Sequence, residues 1–383
     1  MNSLRRDARS FDIVLFALVV VLSAFGLLMI ASITGAGSGT FINQLIFVVT
    51  GIAIMFVAAF INFETICKFY LPIYGVNILF LVVVLLLPAD RGGVTRWIGI
   101  EIGGTDEVMG TMLGIQPSEF AKIFMVIFLA AVINKFRDQI NKLWVVGIVV
   151  ASTAIVVALI FAQPSLSASM VPLAIMVAML FVGKLSWKYF VIATAVILPL
   201  GLFFFIELHA ENPLILGEFF EPWQINRIMT FLYPEPGSAL LYQNERALDA
   251  LNSGLLTGRG LFSGTRVPEA SNDFIFAIIG AELGFLGSLA VLAVIFVIVM
   301  RCFMIAHRSQ LFLGKLLATG VGAAIAFQTF AHVGINAFIL PNTGMNLPFV
   351  SSGGSSAWVF MAMIGLVINV GMTREYSMFE SFS

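Results

Sequence analysis

Residues 273–300 read DFIFAIIGAELGFLGSLAVLAVIFVIVM, twenty-eight residues that carry two charges, Asp273 and Glu282. A helix rises about 1.5 Å per residue, so about twenty such residues cross the roughly 30 Å hydrocarbon core of a bilayer. The rest of the chain has the same character: of 383 residues, 60% are apolar and 11% are charged, with a mean hydropathy of +1.03. Soluble chains carry about 25% charged residues. So few charges cannot cover a globule in water, and the expected fold is an all-α polytopic membrane protein. A net charge of −1 excludes a basic protein held to nucleic acid by phosphate neutralisation. Two cysteines, Cys67 and Cys302, make neither a disulfide framework nor a metal cluster.

Ten apolar runs are long enough to span, at about 11–33, 42–63, 69–88, 118–134, 144–162, 168–184, 187–206, 273–300, 311–335 and 353–371. The first follows Arg5, Arg6 and Arg9 but is too long for a signal peptide, and it reads as a retained helix. If the N-terminus is cytoplasmic, thirteen Lys and Arg fall inside and six outside, with Lys122 within a span. Four of those six share one long loop, which translocates regardless of charge, so both termini are expected in the cytoplasm. The chain reads as one membrane domain over 1–383 with two long extracytoplasmic segments, 89–117 and 207–272. The second lies between the seventh and eighth helices. It holds Phe219, Phe220, Trp223, Phe231, Tyr233 and Tyr242, which predicts short amphipathic helices on the outer leaflet.

A carboxylate in or at a membrane span is costly, which singles out Glu119, Asp273 and Glu282. Asp273 opens the eighth span and reads either as a helix-start acid favoured by the dipole or as a functional group. Ala277, Gly280, Gly284 and Gly287 fall near its face, leaving a cavity or a close helix contact. Glu282 projects to the opposite face about 13 Å away by helix rise, so it cannot share a bond with Asp273 and should meet a polar partner in the bundle. Glu119 and Lys122 stand three apart after Pro117 and can pair on one helix, either to fix its register or to place Lys122 near an anionic substrate. Trp97 beside Arg96 suits an interfacial anchor. Residues 341–356, PNTGMNLPFVSSGGSS, lead into the last span. Their glycines and serines either cap a packed re-entrant loop or, at Ser352 and Gly353, offer backbone N–H groups to an anion such as pyrophosphate. No two of His209, His307 and His332 are close enough in sequence to suggest a metal pair, and no nucleotide-binding loop is present in the sequence.

In these residues the chain resembles the SEDS family, the FtsW/RodA/SpoVE proteins of bacterial cell-wall growth. The resemblance runs nearly the whole length. It is carried by Arg96-Trp97-Ile98, Gln116 to Lys122, Gln163-Pro164, Asp273-Phe274-Ile275-Phe276-Ala277 and Glu282-Leu283-Gly284. It continues in Leu340-Pro341, Gly344, Leu347-Pro348-Phe349 and Ser352-Gly353-Gly354-Ser355-Ser356. The sequence departs from the family pattern at Ser165 and Ala281, each in place of an acid, and at Met345-Asn346 in place of Ile-Pro.

The resemblance implies ten membrane helices in the bacterial cytoplasmic membrane and a glycosyltransferase that polymerises lipid II into glycan strands at the outer face. Asp273 would be the general base of an inverting transfer. Arg96, Lys122, Arg259 and Arg266, with a divalent cation such as Mg or Mn and no nucleotide or organic cofactor, would neutralise the leaving pyrophosphate. Glu119, Ser352 and Gly353 would complete the substrate site. The implied partners are a class B penicillin-binding protein and other cell-wall assembly membrane proteins. A transporter or flippase of a polyprenyl-linked sugar, or a non-catalytic scaffold, stays open on hydropathy alone.

Overall fold

A computed structural model describes residues 5–6, 10–87, 98–102, 111–163, 165–208, 222–234 and 239–374. Every expected apolar run coincides with a helix. In chain order these are α1 (Ile13–Thr34), α2 (Gly39–Phe60), α4 (Tyr70–Leu86), α5 (Pro117–Lys135), α6 (Leu143–Phe161), α7 (Leu166–Val182) and α8 (Trp187–Leu208). The short α3 (Phe63–Lys68) precedes α4; α9 (Pro222–Leu232) and α10 (Ala239–Ser253) lie in the long segment after α8. The chain then forms α11 (Ile275–Arg308), α12 (Phe312–Asn336) and α13 (Gly354–Met372). Eight of these helices are long and apolar enough to cross a membrane; α4 and α7, at 17 residues each, are shorter apolar helices.

Local sequence sets the ends. The Asp12 side chain accepts the Leu15 N–H at 2.9 Å to start α1, and Ser38 and Asn62 cap α2 and α3 in the same way. Pro117 sits in the first turn of α5, where its missing N–H costs nothing. Packing sorts the helices by depth. Of the most apolar stretch of each, 78% is buried in α5, 78% in α12 and 83% in α13, against none in α8. The core is therefore α5, α12 and α13, with α2, α7 and α11 against them. α8 is almost wholly exposed. Small residues set the contacts: a side chain on Gly365 would strike the Met55 carbonyl of α2, and one on Gly26 of α1 would strike Val350.

Two departures from the expected all-α chain have plain causes. Ile98–Ile102 and Thr111–Ile115, inside the 89–117 segment, pair as an antiparallel hairpin, with Ile98 opposite Ile115 and Ile102 opposite Thr111. The alternation Ile98, Ile100, Ile102 has period two, the period of a strand. Two-residue strands Arg5–Arg6 and Thr373–Arg374 also pair, bringing the ends of the described chain together.

The third departure is a break in α11 at Gly284, whose φ of 67° and ψ of −167° are not helical. A kink frees backbone groups that lipid cannot satisfy. Here the segment after α10 satisfies them: Phe285 and Leu286 donate to the carbonyls of Leu255 and Leu256 at 2.8 and 3.1 Å. Arg259 and Gly260 donate to the carbonyls of Ala281 and Glu282 at 3.0 and 2.9 Å. The small-residue stripe below Asp273 thus forms a close backbone contact. A side chain on Gly254 would lie 1.8 Å from the Gly280 carbonyl oxygen.

Candidate functional site

A cavity of about 480 Å³ opens where the starts of α2, α5 and α7, the turn before α11 and the 341–353 loop meet. Asp273, Glu119, Lys122, Ser352 and Gly353 all line it.

Asp273 is not the helix cap that its position suggested. α11 begins at Ile275, its capping residue is Phe274, and no side chain caps it. Residues 268–274 form turns in which the Asp273 and Phe274 N–H groups donate to the Glu269 carbonyl at 3.1 and 3.3 Å. Asn336, the last residue of α12, donates to the Asp273 carbonyl at 2.8 Å and accepts the Ala277 N–H at 3.0 Å. It fastens the two ends of the turn together. The carboxylate faces Gly344, where a Cβ would come within 3.0 Å of Oδ2. Gly344 has a φ of +69°, so glycine here serves both the backbone shape and the clearance around the acid.

Below Asp273 lies the pair that the three-residue spacing predicted. Lys122 Nζ donates to Glu119 Oε1 at 2.7 Å and to Gln328 Oε1 at 2.7 Å, and it stands 5.2 Å from the centre of the Phe360 ring. Both members of the pair are buried. Gln328 takes up a second Lys122 proton, while among the described residues Glu119 Oε2 has no hydrogen-bond partner and borders the cavity.

The loop from Pro341 to Gly353 is stitched by side chains rather than by regular structure. Gln328 donates to the Asn346 carbonyl at 2.9 Å, and His332 Nδ1 meets the Met345 carbonyl. That contact makes Nδ1 the protonated nitrogen. Ser167 donates to the carbonyls of Thr343 and Gly344 at 2.7 and 2.8 Å. Arg227 of α9 donates to the Asn342 carbonyl at 3.2 Å. Gln116 N–H donates to Ser355 Oγ at 3.0 Å, and that hydroxyl donates to the Gly114 carbonyl at 3.2 Å. Those two bonds tie the hairpin to the start of α13.

At Ser352 and Gly353, where an anion cradle was expected, this stitching engages the backbone. The Ser352 N–H donates to the Ser271 carbonyl at 2.8 Å, and the Gly353 N–H to Gln44 Oε1 at 3.0 Å. Both residues border the cavity, but their N–H groups are already used.

The other expected residues fall elsewhere. Arg259 and Arg266 are exposed and do not line the cavity; Arg259 belongs to the segment seated in the α11 kink. Arg96 and Trp97 lie outside the described residues, as does Pro164. Ser165, where the family pattern has an acid, lines the cavity. Glu282 does meet a polar partner: Ser32 of α1 donates to both its carboxylate oxygens, at 2.6 and 2.8 Å, and accepts the Phe262 N–H at 2.8 Å. Sequence reading passed over Gln44, Gln328, Asn336 and the bonding role of His332. Gln328, His332 and Asn336 recur every fourth residue along α12, a polar stripe in an otherwise apolar helix, and that was the available signal. Among the described residues no three of His, Cys, Asp and Glu come together as a metal site. The carboxylates bordering the cavity are Glu119, Glu269 and Asp273.

Residues 9–376 match the sequence model of the FtsW/RodA/SpoVE family, described as a cell cycle protein. The probable peptidoglycan glycosyltransferase FtsW of Borreliella burgdorferi is 31% identical over 382 residues, which cover 97% of this chain and 97% of that protein. A chain from a study of the structural coordination of polymerization and crosslinking by a peptidoglycan synthase complex superposes with a TM-score of 0.76. Its identity is 23%, over 94% of this chain and 97% of that one. The Thermus thermophilus rod shape determining protein RodA superposes with a TM-score of 0.67 at 23% identity, over 94% of this chain and 96% of its own. At these identities the two structures speak for the fold.

Proposed function

The chain belongs to the FtsW/RodA/SpoVE (SEDS) family, and from that premise we propose that it is a peptidoglycan glycosyltransferase that polymerises lipid II. It is a multi-pass membrane protein with a RodA-like helical fold. Ten spans, both termini in the cytoplasm and a site at the outer face of the bacterial cytoplasmic membrane complete the reading, with residues 1–383 working as one membrane domain. The observation that carries it is the polar cavity with Asp273 on its wall and the Glu119–Lys122 pair at its base, in a chain 60% apolar.

No ATP is available at the outer face, so a transfer there uses a donor already activated as a sugar on a polyprenyl pyrophosphate. Asp273 takes the proton from the acceptor's sugar 4-hydroxyl. That oxygen bonds to the donor's anomeric carbon from the face opposite the leaving group. The carbon–oxygen bond to pyrophosphate breaks, the pyrophosphate keeps the electron pair, and the configuration inverts. A positioned base of this kind contributes about 10²- to 10⁴-fold. Orientation by the Asn336 clamp and neutralisation of the leaving group supply the rest. Lys122 lies at the cavity, and Arg259 and Arg266 on the exposed outer segment are the further cations proposed for that second task, with Arg96. A divalent cation would be held by the Asp273 and Glu269 carboxylates on the cavity wall, and would supply positive charge to the leaving pyrophosphate.

A class B penicillin-binding protein and other cell-wall assembly proteins are the proposed partners. The likeness to a chain from a synthase complex that couples polymerization to crosslinking supports the first. The test is purified protein with labelled lipid II, with and without a class B partner, reading glycan strand length on gels. Wild type should form strands. Asp273→Asn, which keeps size and polarity, should fold with wild-type Tm and lose about 10²- to 10⁴-fold in rate. Full activity in well-folded Asp273→Asn protein would remove the acid from the mechanism.

A further inference from the structure

At the end of the bundle away from Asp273, a second cavity of about 540 Å³ is lined by Arg137, Lys184, His307 and Lys315. These side chains come from four separate places in the chain: the turn after α5, the α7–α8 connection, the last turn of α11 and the first turn of α12. Asp138 is the acid among its lining residues, so the charge there is predominantly positive. Lys184 also occupies a position where glycine would be easier. It has a φ of +62° just past the end of α7, where its N–H donates to the Phe181 carbonyl and that of Leu185 to the Leu180 carbonyl. A non-glycine residue in that conformation is strained.

The basic cavity adjoins an apolar groove. A space of about 870 Å³, bounded by α7, the start of α8, α11 and α12, shares Val182, Phe303 and Thr319 with it. Its other walls include Val177, Ala178 and Phe190, and it opens sideways because α8 is exposed along its length. Trp187, at the rim, is the residue type that settles at a headgroup boundary. A charged cup, a hydroxyl from Thr319 at the junction and an apolar slot follow in the order phosphate, glycerol ester, acyl chain.

We propose that this composite site binds one anionic phospholipid of the cytoplasmic leaflet, its phosphate held by Arg137, Lys184 and Lys315 and one acyl chain laid between α7 and α12. Basic pockets between transmembrane helices select anionic headgroups, whereas the groove excludes a soluble phosphate as the natural occupant. The lipid would brace α7 and α12, which pack on each other and both border the catalytic cavity through Ala168 and Gln328. The site is independent of the glycosyltransfer chemistry and stands or falls separately from it.

The experiment is native mass spectrometry of the full chain released from nanodiscs of phosphatidylcholine with and without phosphatidylglycerol, alongside Tm. Wild type should retain phosphatidylglycerol over phosphatidylcholine, and added phosphatidylglycerol should raise its Tm. The Lys184→Gln/Lys315→Gln pair should hold that lipid roughly 30-fold less, about fivefold for each lysine. Lys184→Arg/Lys315→Arg should retain it, which separates charge from folding. Ala178→Phe, which fills the groove and leaves the cations in place, should also lose it. Equal retention of the two lipids by wild type, or retention unchanged in the Gln pair, would overturn the proposal. Displacement by inorganic phosphate, with Ala178→Phe indifferent, would instead make it a soluble-anion site.

Discussion

Asp273 is fixed through its backbone, by Asn336 on one side and by the Glu269 turn on the other. Asn336 makes its bonds with both ends of its amide, so removing it strands the buried Ala277 N–H. Asn336→Ala should therefore cost about 1–3 kcal/mol. Polymerisation should fall further than the Tm loss explains, because the carboxylate is no longer aimed. Lipid II binding measured beside strand synthesis checks this: a loss confined to binding would place Asn336 outside the positioning of Asp273. The Glu119–Lys122 pair makes a different prediction. Lys122→Met alone leaves a buried carboxylate uncompensated and should cost about 3–5 kcal/mol, whereas Glu119→Leu with Lys122→Met should cost less than either alone. Additive losses in a double-mutant cycle of Tm would show that the 2.7 Å contact carries no coupling.

α11 is one element by hydrogen bonding and two by geometry. Its first two turns belong with the site, since they follow Asp273 and receive the Asn336 amide; its longer second part is an ordinary apolar span. The joint works because Gly284 and Gly258 let two backbones touch. A Cβ on Gly284 would lie 2.4 Å from the Gly258 nitrogen, at a φ that L residues resist. Gly284→Ala should destabilise by about 2–4 kcal/mol, combining strain at positive φ with overpacking. Because the 254–260 segment is what answers the open backbone groups of the kink, its protection from limited proteolysis should fall in the same variant. Unchanged Tm and cleavage would mean that the joint tolerates a straight helix. The paired strands Ile98–Ile102 and Thr111–Ile115 show an element deciding a boundary: through Gln116, Gly114 and Ser355 the second lies against the start of α13 and contributes Gly114 to the cavity wall.

For the whole molecule the orientation prediction can be read with cysteines, because the native pair is silent. Cys67 is buried and its thiol is pushed up to about 12, by burial first and then by Glu64, so it stays protonated at neutral pH. Cys302 is fully buried. In intact cells a membrane-impermeant maleimide should label Ser263→Cys, on an exposed outer segment, and reach Gln139→Cys only after permeabilisation. The reverse pattern would invert the topology. Hydropathy alone determined the helical membrane class, because unpaired backbone in lipid is so costly that only a helix fits each apolar run. Residue types at short spacing determined the Glu119–Lys122 pair, because three residues on one helix fix the geometry before any packing occurs. Asp273 was found as a costly acid beside a span, and the family motif around it gave it a role. What holds it was decided only by tertiary structure: Asn336 lies 63 residues away in sequence. The same is true of Gln328 meeting Lys122, of Ser32 meeting Glu282 and of the cations converging on the second cavity. Those contacts depend on which faces of distant helices are pressed together, and small residues such as Gly26, Gly254 and Gly365 set that by how closely they let backbones approach.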